Sequence, residues 1–285
     1  MNTLFTVAKT YPLTGVGDCP DGIITSSRHI FTYIKETGEP LGVVSPDYQI
    51  MQPMEAYDLV AETTGSNNIE TRWDGKRMII QAPIAQALLP GDDQIVTNFT
   101  VVNSFDGSAS IYGLGINFRL FCLNQLRVAF NNAKNNNAIQ KIRHNGDFEY
   151  KLSEFKNACQ AIAHSHKDFM TQVTALVKTD VTQAKIEELW KQVSPHVVNF
   201  TKDEDTNRTK LTAFVQYATH TYEEERERGA PDSLWLAANA VTKYIQHNTG
   251  SRGRKPNVDR RFIDCAIGPR GNLSAKVMKT ALSMV

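Results

Sequence analysis

Gln94-Ile-Val-Thr-Asn-Phe-Thr-Val-Val-Asn103, then Asp106-Gly107, then Ser108 to Tyr112 and Ile116-Asn-Phe-Arg-Leu-Phe-Cys122, is the stretch that decides the fold. β-Branched and aromatic residues dominate it, and an Asp-Gly pair punctuates it, so it reads as a β-β-β meander. Upstream, Ile69–Trp73 and Arg77–Gln81 flank a second Asp-Gly pair, Asp74-Gly75, and read as a hairpin. Pro53 to Glu62 reads as a short helix, with Pro in its first turn and Gly65 past its end. Arg28–Ile34, Leu41–Val44 and Tyr48–Met51 read as further strands.

Downstream the period changes. Asn124 to Lys134 is expected to be helical, and Asn135-Asn-Asn137 is a break. Leu152, Phe155, Cys159, Ile162, Phe169, Val173 and Leu176 recur at helical spacing, predicting one long helix over Lys151–Lys178. Further helices are expected over Thr182–Val193, over Asn207–Arg228, from just after Pro231-Asp-Ser233 to about His247, and over Ser274–Met284. A sheet followed by helices indicates the α+β class. With no clear linker, the expectation is a single domain over 1–285, β-rich in 1–123 and helix-rich in 124–285.

The chain has 285 residues, of which 41% are hydrophobic and 21% charged, values ordinary for a globular protein. No apolar run approaches the ~18 residues that span a membrane, and the N-terminus lacks the pattern of a secretory signal. Cys19, Cys122, Cys159 and Cys265 are scattered, with no Cys-x-x-Cys pair. The expectation is a cytoplasmic protein with no disulfide framework and no zinc site.

The formal net charge of +1 conceals a segregated pattern. Residues 119–167 and 243–285 together carry 17 basic and 5 acidic side chains, while the remainder carries 14 basic and 25 acidic. If the two basic stretches meet, they form a surface that attracts a polyanion; otherwise they solvate loops and helix faces. Ser251-Arg-Gly-Arg-Lys-Pro-Asn-Val-Asp-Arg-Arg-Phe262 has the composition of a phosphate-facing loop. Arg252, Arg254, Lys255, Arg260 and Arg261 would meet phosphates, and Phe262 would stack on bases. In the first basic stretch, Arg127, Lys141, Arg143, His144 and Lys151 are candidate phosphate contacts; His144 is also a possible base, and the phosphate contact is favoured. Arg119 either pairs with a buried carboxylate or reaches toward phosphate. Trp235 has helical core spacing with Leu234, Ala238, Val241 and Ile245, so it is expected in the core.

Catalytic signals are sparse. There is no phosphate-binding loop, dinucleotide fingerprint, His-Glu-x-x-His or nucleophile elbow. His164 and His166 are two residues apart, which does not suit a shared metal on a helix. Asp106 is either a metal ligand or base, or part of a tight turn that Gly107 makes possible, and the turn is favoured. No catalytic residue, metal or cofactor is assigned.

Several phrases resemble a family of phage/plasmid-like proteins of unknown function: Val43-Val-Ser-Pro-Asp-Tyr-Gln-Ile50, Val102-Asn-Ser-Phe-Asp-Gly-Ser108, Phe118-Arg-Leu-Phe-Cys-Leu-Asn-Gln-Leu126, Ile142-Arg-His144, and Leu234-Trp-Leu-Ala-Ala-Asn-Ala-Val-Thr-Lys-Tyr-Ile-Gln-His247. One departure is Phe105, where the family often has His. The resemblance implies a mobile-element context without assigning a chemistry. At the level of fold, the meander followed by a long helix resembles the core of Rad52-like and Redβ-like annealing proteins. That analogy implies ATP-independent binding of single-stranded DNA for recombination by a homo-oligomer larger than a dimer. Two alternatives stay open: an effector that binds and inhibits a host protein, and a nuclease using a metal at Asp106.

Overall fold

A computed structural model describes residues 4–10, 30–75, 77–91, 93–119, 124–127, 139–164, 166–198, 200–248 and 258–285. The chain is α+β, with antiparallel sheets in the N-terminal half and helices in the C-terminal half. Nine strands and eight α-helices are described: β1 (Val7–Thr10), β2 (Ile30–Ile34), β3 (Pro40–Val44), α1 (Pro53–Thr64), β4 (Glu70–Trp73), β5 (Arg77–Leu89), β6 (Asp93–Ser104), β7 (Ile111–Arg119), β8 (Asn124–Arg127), β9 (Ile139–Ile142), α2 (Phe148–His164), α3 (His166–Lys178), α4 (Gln183–Val197), α5 (Glu204–Glu227), α6 (Leu234–Lys243, continued by a π turn over Tyr244–Asn248), α7 (Val258–Ala266) and α8 (Pro269–Leu282). Two compact units are formed from interleaved segments. The first comprises Met1–Ala82, Phe99–Leu114 and Ile139–Ala163; the second comprises Pro83–Asn98, Gly115–Ala138 and His164–Val285.

The first unit contains the small sheet β1-β2-β3 and the first-unit portions of the larger sheet, whose order is β4-β5-β6-β7-β8 with β9 also on β7. β9 pairs antiparallel with the start of β7, Ile111 opposite Ile142 and Tyr112 opposite Lys141. Helix α1 begins as its sequence predicts: the Glu55 carboxylate accepts the Gln52 N–H at 2.6 Å, and the chain turns at Gly65, whose N–H reaches the Ala61 carbonyl at 2.8 Å. Helix α2 crosses β7 where Gly113 leaves room. A Cβ there would come within 3.0 Å of the Phe155 ring, and Phe155 and Cys159 are both buried.

The second unit is built around α6. Every residue from Leu234 to Thr242 is buried, and the apolar ones share a cluster with Phe169, Val173, Leu176, Leu189, Trp190, Phe214 and Val277. Ser233 caps this helix, its Oγ accepting the Leu236 N–H at 3.3 Å. Trp190 donates its indole N–H to the Ala237 carbonyl at 3.2 Å. Helix α4 runs past Pro195, where the sequence predicts an end. Proline offers no N–H to the Lys191 carbonyl, and the Ser194 hydroxyl supplies the missing donor at 3.1 Å.

Three other expectations change. Tyr48–Met51 is not a ladder strand. Ser108–Tyr112 and Ile116–Cys122 do not form two strands, since Ile111–Arg119 is one continuous strand. Asn124–Arg127 is a strand rather than a helix, pairing with β7 from Ile116 to Arg119, so β structure extends past residue 123. The helix expected over Lys151–Lys178 is matched by α2 and α3 on either side of Ser165, which lies outside the described residues.

Candidate functional site

The site is assembled in the first unit where β9 ends. Along this edge the chain alternates: Lys141 and Arg143 are exposed, while Ile142 and His144 are buried. Both cations therefore leave the same side of the strand, as a period of two requires. Lys141 stands over its cross-strand partner Tyr112, its Nζ 5.5 Å from the ring centroid.

His144 is held by three contacts. Its ring stacks on Tyr48 at 4.4 Å between centroids and lies near-parallel to Phe148 at 6.3 Å. Its Nδ1 is 2.7 Å from the Gln49 carbonyl. In return the Gln49 N–H donates to the His144 carbonyl at 2.7 Å. This exchange is what Tyr48–Met51 makes in place of a ladder. Burial lowers the His144 pKa below its ordinary value.

The opposite wall is the Asp106-Gly107 turn. Gly107 has φ 74°, a left-handed conformation that glycine adopts without penalty. Asp106 accepts the Ser108 N–H at 2.9 Å. The turn is fastened to the small sheet: the Thr32 hydroxyl donates to the Phe105 carbonyl at 2.5 Å, and Tyr48 donates its hydroxyl to the Ser104 carbonyl at 2.7 Å. Gly42 lies flat against it, since a Cβ there would be 2.6 Å from the Asp106 Cα. Burial pushes the Tyr48 phenol well above its usual range, so it stays a neutral donor.

Between these walls is an open cavity of about 520 Å³, lined by Tyr48, Ser108, Tyr112, Lys141, Arg143 and His144 among others. That volume is in the range of small-ligand sites. A second concavity of about 420 Å³ shares Lys141 and Arg143 and continues along α2 past Lys151, Glu154 and Phe155. Lys151 donates to the Asn145 carbonyl at 3.1 Å. Tyr150, 67% exposed, donates its hydroxyl to Glu154 of that concavity at 2.9 Å.

The structure brings Lys141, Arg143, His144 and Lys151 together and buries Arg119 and Phe262 in the second unit. Arg119 is corrected from a phosphate contact to a core residue of the second unit, fully buried. Its Nε donates to Asp93 at 2.5 Å, its Nη1 to Glu225, and its guanidinium lies 5.9 Å from the centroid of Trp235. Trp235 in turn donates its indole N–H to Asp93 at 3.2 Å. Phe262 is corrected too: it is buried on α7 with Cys265 and Ala266, so its ring is not open to bases. Arg261 is half-buried and donates to the His247 carbonyl at 3.3 Å. Arg127 and Arg260 belong to β8 and α7 by backbone, and their side chains lie outside what is described. Arg252, Arg254 and Lys255 lie outside the described residues, whereas Val258 to Phe262 are helical and not a loop. Among the described residues no group of three or more metal-ligating side chains occurs, and no helix is long and apolar enough to cross a membrane.

Tyr48, Gln49, Tyr112 and Ser108 were not singled out by the sequence. A signal was present: the phrases 43–50, 102–108 and 142–144, quoted above for their family resemblance, all contribute to the one cavity. Fold and site thus define an α+β protein with a cationic, aromatic-walled cavity at a sheet edge. A family model described as a domain of unknown function (DUF932) matches residues 40–262, and the chain belongs to that family. No curated protein and no solved structure matches the chain, and nothing supports the Rad52-like analogy.

Proposed function

We propose that this protein binds single-stranded nucleic acid, DNA first, along the β9 edge of the first unit. One observation carries the reading: Lys141 and Arg143 project side by side into solvent at the rim shared by two adjoining concavities. A guanidinium and an ammonium a strand-pair apart suit successive phosphates, with counterion release as the driving force. Tyr150 offers an exposed ring for a base. Asp106 and Glu154 line the same concavities and oppose a bare anion, which favours a ligand with polar groups besides phosphate. No nucleotide-binding loop is present in the sequence, so annealing would draw on binding energy alone, through linked protomers larger than a dimer. The test is binding of labelled oligo-dT across a salt series, with electron microscopy of the protein with and without the strand. Salt-dependent affinity and an assembly on the strand are expected; salt-independent binding, or none, overturns the reading.

A second reading, an effector that docks on a host protein, is favoured by Phe31 and Val43. These cross-strand partners expose apolar surface on the small sheet. Stable co-purification with a host protein in place of nucleic acid would select it.

A further inference from the structure

Resting on the nucleic-acid reading, we infer that the cavity also reads the bound nucleotide, by accepting a hydrogen bond from its sugar or base at Nε2 of His144. The Gln49 carbonyl that meets Nδ1 at 2.7 Å has no hydrogen to give, so Nδ1 must carry the proton. In a neutral imidazole so fixed, Nε2 is left with a lone pair and is an acceptor only. That atom is buried and has no hydrogen-bond partner, in a residue that lines the cavity and is 5% exposed. A buried acceptor without a donor is costly, and a ligand donor removes the cost.

The neighbouring groups define which donor. Lys141 and Arg143 at the rim offer only hydrogens and take the phosphate. His144 is then within the same cavity as the phosphate's own nucleotide, which carries two kinds of donor: a 2′-hydroxyl, or a base N–H. An acceptor with no proton of its own disfavours a nucleotide that lacks both, since the lone pair then stays unpaired. A hydroxyl donor leaves base edges free for pairing, whereas a base donor withdraws that nucleotide from pairing.

The experiment uses the full chain with ¹⁵N-labelled histidine and three 3′-blocked probes: oligo-dT, which has the base N–H; N3-methylated oligo-dT, which has neither donor; and N3-methylated oligo-rU, which has the 2′-hydroxyl alone. A shift of the His144 Nε2 resonance with oligo-dT identifies the base, and with the methylated ribo-oligomer the sugar. The donor-free probe should leave it in place. His144→Phe preserves an aromatic stack and should weaken only the donor-bearing probe, by roughly three- to tenfold. Should the variant unfold, the wild-type resonance alone decides. Binding of all three probes with Nε2 unmoved, or moved equally, overturns this inference and leaves the phosphate reading intact; if none of the three probes binds, both are overturned.

Discussion

Arg119 and Lys141 are both cations on strands of one sheet, adjacent in hydrogen-bonding order, yet their surroundings are opposite. Arg119 is closed over by Asp93, Glu225 and Trp235; Lys141 is exposed above a single ring. A cation in a strand is therefore no signal of a ligand until its covering is known. What decides is whether another element presents a carboxylate to it. Glu225 does so for Arg119 from α5, because Phe214, Ala218, Tyr222 and Glu225 fall on one helical face and all are buried.

The comparison predicts its own largest effect. Arg119→Met leaves two buried carboxyl groups without their cation and should cost about 3–5 kcal/mol, read as a lowered urea midpoint. Adding Asp93→Asn and Glu225→Gln should restore part of it. A loss under about 1 kcal/mol would mean that the cluster does not hold the core. Next in size is the wall of the cavity: Gly107→Val should cost on the order of 1–3 kcal/mol, while Asp106→Asn stays within about 0.5 kcal/mol. An inactive but stable Asp106→Asn would restore a catalytic or metal role for that turn.

Lys141→Glu/Arg143→Glu is the counterpart of the Arg119 variant. Both side chains are exposed, so stability should change by less than about 0.5 kcal/mol per site. Affinity for oligo-dT should fall, with the salt slope reduced by about two units, one per lost phosphate contact. An unchanged slope would remove the β9 edge from the interface. Arg252→Glu/Arg254→Glu/Lys255→Glu asks the same question of the segment near residue 255.

The smallest effect is a pH dependence. An unfolded imidazole titrates near about 6.5, and burial holds the folded His144 below that. Between the two values the unfolded chain binds more protons. Stability from this group is therefore complete above about pH 6.5 and is lost as pH falls through the folded pKa. His247 is lowered as well, by burial first and by Arg261 second, so the wild type must be compared with His144→Phe. A stability profile equally steep below about pH 6.5 in both would refute a neutral buried His144.

Turns and caps were legible because their chemistry is local. Asp74-Gly75, Asp106-Gly107, Ser233 and Gly65 each act within four residues of themselves, and each is found where expected. Non-local pairing was not. Asn124–Arg127 is a strand only because β7 offers it an edge. The second half of β5, beyond the expected Arg77–Gln81, contains Pro83, a residue that ordinarily argues against a strand. β4 covers β5 only from Met78 to Gln81, so no β4 partner asks for the proline's missing N–H. Phe262 was misread from composition, although Phe262, Cys265 and Ala266 carry helical spacing with one buried face. The candidate site was half legible: Lys141, Arg143 and His144 announce themselves as a cationic triplet, whereas Tyr48, Gln49 and Tyr112 join them only through the fold.

Helix α6 has no face turned to water from Leu234 to Thr242. Its amides can meet solvent only when the packing around them opens. They should be the last in the second unit to exchange deuterium, at rates set by the complete unfolding of that unit rather than by local fraying. The peptide-resolved exchange of this one helix then measures the free energy of the whole unit under native conditions, with no denaturant present.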